Sequence, residues 1–307
     1  MNTSTSSRSL LANGLALGAI VLWASLAALG AALRHVPPFL LTGLGLLVGA
    51  AMALPMVRFD VRRLAVAPRT LAVGVWGLFG YHFLLFTALQ LAPPVEANLV
   101  NYLWPLLIVA MAPWFLPGVR LTPRHVAAAL LGFAGAAIAI VGRGGAGAGS
   151  AGGTATALMG FACALGAAFM WSSYSLMTKR LAMTGRGFPT AAIGTFGLVS
   201  GLLALLCHAL LEPAVALSVR DLLLIALLGL GPLGGAFFLW DAALKRGDAR
   251  QIGVLSYLTP LLSTLVLLLS TGSALTWPVG LATALILGAA VLGTRARPAP
   301  ARRPGSA

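Results

Sequence analysis

One short stretch of this chain combines amide, phenol, indole and proline side chains inside an apolar segment. It reads Asn98-Leu-Val-Asn-Tyr-Leu-Trp-Pro105, within about twenty residues that are otherwise apolar, the length of a membrane helix. Proline has no backbone N–H, so Pro105 leaves the carbonyl of Asn101 without its helical partner. In lipid, such a carbonyl needs a partner from the protein or from a polar cavity. We therefore expect a kink at Pro105 and a binding cavity lined by Asn101, Tyr102 and Trp104.

The same pattern occurs a second time. Shifted by 155 residues, about half of the 307-residue chain, Tyr102-Leu-Trp-Pro105 falls on Tyr257-Leu-Thr-Pro260, and Asn101 falls on Ser256. A match at this offset indicates an internal repeat, which determines the architecture. By symmetry, the repeat predicts a second kink at Pro260 and a second pair of cavity residues, Ser256 and Tyr257.

Further candidates for substrate contact are polar or aromatic residues that lie inside apolar segments. Trp23 and Trp171 lie deep in their segments at similar places in the two halves, whereas Trp114 and Trp277 lie near segment ends and fit an interfacial belt. Packing between helices is the alternative for each buried candidate, and Asp241 has the spacing for an ion pair with Lys245. The remaining predicted substrate-binding residues are Tyr81, His82, Trp240 and Asp241.

Composition defines the class of protein. Apolar residues make up 59% of the chain, charged residues only 8%, and the mean hydropathy is +0.97. Soluble domains carry about 25% charged residues. The net charge of +14 lies in short loops and a tail, which argues against nucleic-acid binding. Cys163 and Cys207 lie in apolar segments, so we expect no disulfide, no metal site and no cofactor.

These features predict an all-α polytopic membrane protein with ten transmembrane helices. A Gly-rich linker at 143–153 separates a first repeat, 10–142, from a second repeat, 154–294, and a basic tail at 295–307 is expected to be disordered. The predicted spans are 10–33, 37–57, 69–91, 95–116, 122–142, 154–178, 188–210, 218–243, 249–270 and 275–294.

The distribution of basic residues predicts the orientation. With the N-terminus inside, only Arg34, Arg143 and Arg220 of the 20 Lys and Arg residues fall in outer loops. The remaining seventeen face the cytoplasm, so both termini are predicted to be cytoplasmic. Five spans per half is an odd number, so the second repeat is expected to be inverted. Inverted repeats are a common plan of secondary transporters, with the substrate site near the midplane.

Particular motifs also resemble a known family. Val21-Leu-Trp-Ala-Ser25, Phe169-Met-Trp-Ser-Ser-Tyr174 and the paired proline helices are similar to the ten-helix EamA branch of the drug/metabolite transporter superfamily. The motif that includes Asn101 to Pro105 resembles the YddG-type aromatic amino acid exporters within that branch. The resemblance implies export of amino acids or related metabolites through a central cavity. Smaller multidrug relatives in this superfamily couple transport to protons through a membrane-buried Glu in their first helix. The first predicted span here, 10–33, contains no acidic residue.

The sequence thus predicts an exporter of aromatic or hydrophobic amino acids in the bacterial inner membrane. It is expected to work as a monomer by alternating access. A broad-specificity exporter of drugs or other small metabolites is the first alternative. Phosphorylated substrates are disfavoured because no span has a basic residue near its centre. A membrane-embedded transferase is the remote alternative, since it requires paired acids or a His–Asp constellation and only His82 and Asp241 are available.

Overall fold

The computed structural model describes residues 3–141, 154–271 and 277–294. The predicted linker at 143–153 and the predicted tail at 295–307 lie outside the described residues. The described part of the first half is helical, with a 3₁₀ turn at Val61–Leu64 and a π-helical segment at Trp76–Gly80. Its α-helices are α1 Thr3–Ala24, α2 Leu26–Ala32, α3 Pro38–Ala51, α4 Ala53–Met56, α5 Pro68–Val75, α6 Tyr81–Leu91, α7 Pro94–Asn101, α8 Trp104–Phe115 and α9 Pro123–Val141.

The second half repeats this order of elements. A π-helical segment at Gly231–Gly235 stands 155 residues after the first, and α13 stands 155 residues after α6. The 155-residue spacing read from the sequence thus recurs in the positions of these elements. The helices of this half are α10 Thr154–Met183, α11 Ala192–Leu211, α12 Val219–Leu230, α13 Ala236–Arg246, α14 Ala249–Leu255, α15 Leu258–Thr271 and α16 Trp277–Thr294.

Local sequence signals explain where several of these helices begin. Proline is the first residue of α3, α5, α7 and α9, where its fixed φ angle suits the first turn and its missing N–H costs nothing. Helix α12 begins with a capping box, in which Ser218 and Asp221 satisfy each other's backbone N–H.

Eight helical stretches in the described part of the chain are long and apolar enough to cross a membrane. A further apolar helix, Trp277–Gly293, is shorter, and the α14–α15 pair is interrupted at Ser256 and Tyr257. The structure therefore shows a polytopic helical membrane protein. The long stretches are Ser9–Ala32, Pro38–Met56, Pro68–Leu91, Pro94–Phe115, Pro123–Val141, Thr154–Met183, Ala192–Leu211 and Val219–Arg246.

Contacts between the halves are reciprocal. Helices α3 and α11, which correspond in the repeat, pack on each other, and so do α9 and α16. The repeat also relates α1 to α10 and α6 to α13. Helix α1 packs on α13, and α10 packs on α6 in the same way. Such reciprocal packing of corresponding helices is typical of two units related by a two-fold axis. The halves therefore interleave, and the space between them is bounded by both.

Small residues allow the close approach of α3 and α11. A Cβ atom on Gly43 would lie 2.7 Å from a side-chain carbon of Leu205 and 3.1 Å from the carbonyl oxygen of Gly201. Within a membrane, helices associate through close packing of this kind, because lipid tails are as apolar as the side chains. The glycines thus hold α3 and α11 in close contact.

Candidate functional site

A cavity of about 740 Å³ lies between the two halves. Its wall is made of aromatic and aliphatic side chains with a minority of uncharged polar groups. Among the described residues that form the wall there is no Asp, Glu, Lys or Arg. The lining residues are Trp23, Leu26, Gly30, Leu41, Thr42, Tyr81, His82, Leu85, Phe86, Leu89, Pro94, Asn98, Asn101, Tyr102, Trp104, Ile140, Trp171, Leu228, Leu233, Phe237, Thr259, Pro260 and Ser263.

Two helix interruptions bring polar residues to this wall. Helix α7 ends at Asn101 and α8 begins at Trp104, and in the second half α14 ends at Leu255 and α15 begins at Leu258. Irregular backbone at membrane depth is found where it lines a cavity or is buried in protein. The carbonyl of Trp104 accepts a hydrogen bond of 2.8 Å from Ser172 Oγ, so α10 braces the first interruption.

Four tryptophans form one cluster at the centre of the molecule. Every pair among Trp23, Trp104, Trp171 and Trp240 has ring centroids between 5.2 and 6.4 Å apart. Edge-to-face and tilted ring pairs at such distances stabilise beyond the area they bury. Trp23, Trp104 and Trp171 reach the cavity, whereas Trp240 lies behind them and is buried.

The first π segment places Tyr81 and His82 on the wall directly after it. Such segments are frequent at functional sites because they re-aim the side chains that follow. His82 Nδ1 lies 2.6 Å from the carbonyl oxygen of Leu78, and a carbonyl only accepts, so Nδ1 carries a proton. The Asn101 amide donates to the Tyr81 hydroxyl at 3.3 Å, which ties α6 to the interruption between α7 and α8.

The second π segment supports the wall from the other half. Trp23 Nε1 donates to the carbonyl oxygen of Pro232 at 3.1 Å, so α1 is tied to a segment whose backbone lacks regular α-helical bonding. Phe237, two residues beyond that segment, lines the cavity with its ring centroid 5.6 Å from that of Trp171. Both halves therefore reach the cavity through a matched pair of irregular segments.

Eight of the sequence-predicted residues line the cavity in this structure. They lie on α1, on α6 directly after the first π segment, on α10, and at or near the two helix interruptions. Substrate contact at each of them stays a prediction. These residues are Trp23, Tyr81, His82, Asn101, Tyr102, Trp104, Trp171 and Pro260.

Five other predicted residues do not form the wall. Trp240 Nε1 donates to Ser175 Oγ at 3.1 Å, and Asp241 Oδ2 pairs with Lys245 Nζ at 2.6 Å, the ion pair expected from their spacing. The Ser256 hydroxyl donates to the carbonyl of Gly253. Tyr257 and Pro105 are buried in the packing around the interruptions. A direct role in substrate binding at these positions stays a prediction.

Several wall residues were missed by sequence reasoning. Thr42, Phe237, Thr259 and Ser263 contribute to the lining without having been singled out. Thr259 carried a usable signal, because the 155-residue shift places it on Trp104. The others lie in helices that are apolar on every side, where periodicity does not indicate which face meets the cavity.

The end of the molecule that contains Gly247 and Asp248 is crosslinked by cations, and we call it the cationic end. Lys179 Nζ donates to the carbonyl of Gly247 at 2.7 Å, and Lys245 Nζ donates to the carbonyl of Phe188 at 2.7 Å. Arg250 pairs with Asp248 at 2.6 Å. The same guanidinium also donates to the carbonyl of Arg120, in the first half.

The opposite end, which we call the cavity end, contains the lining residues Gly30, Leu89, Pro94 and Ile140. These residues lie near the ends of their helices, so the cavity extends from the tryptophan cluster to this side of the molecule. Such a cavity, bounded by both halves of a polytopic membrane protein, is typical of a membrane transporter of small molecules.

Comparison with known proteins identifies the family. The model of the EamA-like transporter family matches the chain twice, at residues 10–141 and 158–295, so the chain belongs to the EamA-like transporter family. The protein is thus a multi-pass membrane transporter and not an enzyme.

Individual relatives cover nearly the whole chain. An aromatic amino acid exporter, YddG, from Ancylobacter novellus is 43% identical over 279 residues, which are 90% of this chain and 94% of the relative. A YddG protein of the same description from Salmonella typhimurium is 30% identical over 84% of this chain and 88% of its own. One crystal structure superposes with a TM-score of 0.84 at 41% identity, covering 94% of this chain and 98% of that chain.

Proposed function

We propose that this transporter exports aromatic and other hydrophobic amino acids. The observation that carries the proposal is the central cavity, whose wall combines a tryptophan cluster with uncharged polar groups. None of the described residues that form this wall has a charged side chain. Its volume of about 740 Å³ lies within the range of small-molecule sites. The two relatives described as aromatic amino acid exporters support the same substrate class.

The chemistry of the wall suits a zwitterion with an apolar side chain. Ring faces and aliphatic carbons contact the side chain, and amide, hydroxyl, indole and imidazole groups contact the ammonium and carboxylate ends. A phosphorylated metabolite requires Arg or Lys at its site, and the wall has neither. A substrate with a net charge would lose its hydration without gaining a counter-ion.

The topology we propose has ten spans. The eight long helical stretches are joined by the α14–α15 pair and by α16, which gives five spans in each repeat. With an odd number of spans, two-fold related halves are inverted in the membrane. The concentration of Lys and Arg at the cationic end supports an orientation with that end and both termini in the cytoplasm of a bacterial inner membrane.

The arrangement of the halves supports transport by alternating access. In the proposed orientation the cavity end faces outward and the cationic end is closed. Rocking of the halves about the helix interruptions would open the cationic end and close the other, as in transporters built from inverted repeats. Pro105 and Pro260 keep the interruptions flexible because neither donates to the helix ladder. One chain contains both halves, so a monomer suffices.

Transport by purified protein in liposomes tests the proposal. We expect counterflow of labelled phenylalanine and tryptophan, weaker uptake of small aliphatic amino acids, and negligible uptake of glutamate or lysine. Runs with and without a pH gradient separate facilitated transport from proton coupling. Faster uptake of glutamate or lysine than of phenylalanine would refute the proposed substrate class. Equal uptake of unrelated cationic drugs would favour a broad-specificity exporter.

A further inference from the structure

The indole N–H groups of the tryptophans within the spans fall into two sets. Those of Trp23, Trp76 and Trp240 donate hydrogen bonds to Pro232 O, Ser173 Oγ and Ser175 Oγ, at 3.0 to 3.1 Å. Those of Trp104 and Trp171 donate to no described residue, although these two side chains are only 6% and 3% exposed.

The unused donors face the cavity. An indole nitrogen is a donor only, and a buried one ordinarily finds an acceptor. Neither nitrogen is among the buried polar atoms that lack a partner, so neither is sealed inside the protein, and both rings line the cavity. The two N–H groups of Trp104 and Trp171 are therefore open to a ligand held between the halves.

We propose that the N–H groups of Trp104 and Trp171 bind the carboxylate of the transported amino acid. This inference rests on the proposed function and assigns one end of the substrate to one part of the wall. A carboxylate accepts several hydrogen bonds, and bonds to an ionised acceptor are stronger than those between neutral groups. With no Arg or Lys on the wall, neutral donors have to carry this recognition.

The two donors are held in place by the surrounding structure. Their ring centroids are 6.4 Å apart with the planes at 85°, so the two rings belong to one corner of the cavity. Trp171 is fixed by ring contact with Tyr81 at 5.5 Å, and Ser172, the next residue, bonds the Trp104 carbonyl. Donors positioned before the ligand arrives lose little conformational entropy on binding.

The assignment also orients the rest of the substrate. With the carboxylate at the tryptophan corner, an acceptor is required for the ammonium group. Because His82 Nδ1 donates to Leu78, Nε2 of the neutral ring remains as an acceptor beside Tyr81. The apolar side chain then points along Leu85 and Phe86 toward the cavity end.

Replacement of each tryptophan by phenylalanine keeps an aromatic wall and removes only the donor. The measurement is inhibition of labelled phenylalanine counterflow by unlabelled phenylalanine and by phenethylamine, which lacks the carboxylate. We expect wild-type protein to prefer phenylalanine. Trp104→Phe and Trp171→Phe should each weaken phenylalanine inhibition by roughly ten-fold or more, the effect of losing a hydrogen bond to a charged group, and leave phenethylamine nearly unchanged.

Trp76→Phe is the matched control, because it removes an indole N–H bond to Ser173 at a position outside the cavity wall. It should leave the ratio of the two inhibition constants unchanged. Replacement of Trp104 by benzothienylalanine, which keeps the size and shape of the indole and substitutes sulfur for N–H, gives a second donor-free variant in case the smaller phenylalanine ring disturbs packing.

The outcomes separate the two proposals. A reduced preference for phenylalanine over phenethylamine in both donor-free variants supports carboxylate binding by the indoles. An unchanged preference in variants that still fold and transport overturns it and leaves the proposed substrate class intact. Wild-type protein that fails to transport phenylalanine at all contradicts the proposed function itself.

Discussion

The loop between α6 and α7 and the loop between α13 and α14 occupy the same place in the two repeats but differ in chemistry. Ala92 and Pro93 form the first loop, and neither takes part in an ion pair in the described structure; the neighbouring Pro94 lines the cavity. Gly247 and Asp248 form the second, which is bound by Lys179 and by Arg250.

The difference shows how a symmetric backbone acquires an asymmetric state. The two halves supply corresponding helices and loops, and contacts of a few cations crosslink the loop of the second half. The same basic residues underlie the proposed orientation, through the positive-inside effect. In that proposal, charge accounts both for the end that faces the cytoplasm and for the end that is crosslinked in this structure.

Removal of Arg250 is expected to have the largest effect. Its side chain is 6% exposed, pairs with Asp248 and bonds the carbonyl of Arg120. Arg250→Ala therefore removes the charged partner of the Asp248 carboxylate, which keeps a bond from the backbone N–H of residue 250, and removes the guanidinium donor from the Arg120 carbonyl. Breaking a buried pair typically costs 3–5 kcal/mol, and we expect on the order of 3 kcal/mol here because Asp248 is partly exposed. Thermal unfolding of the purified protein measures the loss.

Arg246→Ala serves as its control, since Arg246 is exposed and bonds only the carbonyl of Ala242 four residues earlier in its own helix. Its unfolding temperature should match that of the wild type. Equal losses in the two variants would mean that general charge, and not the crosslink to the first half, stabilises the cationic end.

The two π segments extend the comparison, because each needs glycine at a close contact. A Cβ atom on Gly77 would lie 2.2 Å from Cγ of Tyr174, and one on Gly234 would lie 2.1 Å from the carbonyl oxygen of Gly229. We expect Gly77→Ala and Gly234→Ala each to destabilise the protein by about 1–3 kcal/mol through overpacking. Gly14→Ala, which meets no atom within 4 Å, should be neutral or slightly stabilising in the same unfolding measurement.

The paired prolines test whether the two helix interruptions act alike. Pro105→Ala and Pro260→Ala each restore a backbone donor and favour a continuous helix. A bias of about 1.4 kcal/mol toward the straight form corresponds to roughly ten-fold slower transport of every substrate. Initial rates of phenylalanine and leucine counterflow should fall together in both variants. A change in selectivity without a change in rate would assign these prolines to the wall and not to the hinge.

The smallest effect concerns pH. Burial alone would raise the pKa of Asp248, but hydrogen bonds and charge from Arg250 outweigh it and hold this pKa below its ordinary value of 3.8. A carboxyl with a lowered folded-state pKa stabilises the fold above its unfolded pKa and loses that contribution as the pH falls through the folded value. The difference in unfolding temperature between wild type and Asp248→Asn should thus be constant from about pH 5 to 8 and shrink only below about pH 4. If this difference in unfolding temperature changed near neutral pH, titration of a group other than Asp248 would be its cause.

Much of the architecture was readable from the sequence because it depends on length, hydropathy and repetition. The eight long apolar helices and the 155-residue offset follow from these patterns, and the offset also relates α6 to α13. The π segments at Trp76–Gly80 and Gly231–Gly235 were not predicted, since one extra residue in a helical turn leaves no mark in a stretch that is apolar throughout.

The cavity wall was predictable only where a residue type was unusual. Asn101 and Tyr102 stand out in an apolar span and lie on the wall, whereas Ser263 and Thr42 are common in membrane helices and gave no signal. Tyr257, which symmetry pairs with Tyr102, packs against Gly132, where a Cβ atom would lie 2.4 Å from its ring, so its predicted substrate contact stays a prediction. The two halves share a backbone plan, and their side chains have diverged.

Side-specific cysteine labelling tests the inverted arrangement most directly. In a background without Cys163 and Cys207, single cysteines at Gln90 and Arg246, both exposed and each in the last turn of the helix before its loop, are treated with a membrane-impermeant maleimide on intact cells. We expect labelling of Gln90→Cys from outside and of Arg246→Cys only after permeabilisation. Labelling of both positions from the same side would contradict the inversion of the repeats and, with it, a cavity that opens alternately to the two sides of the membrane.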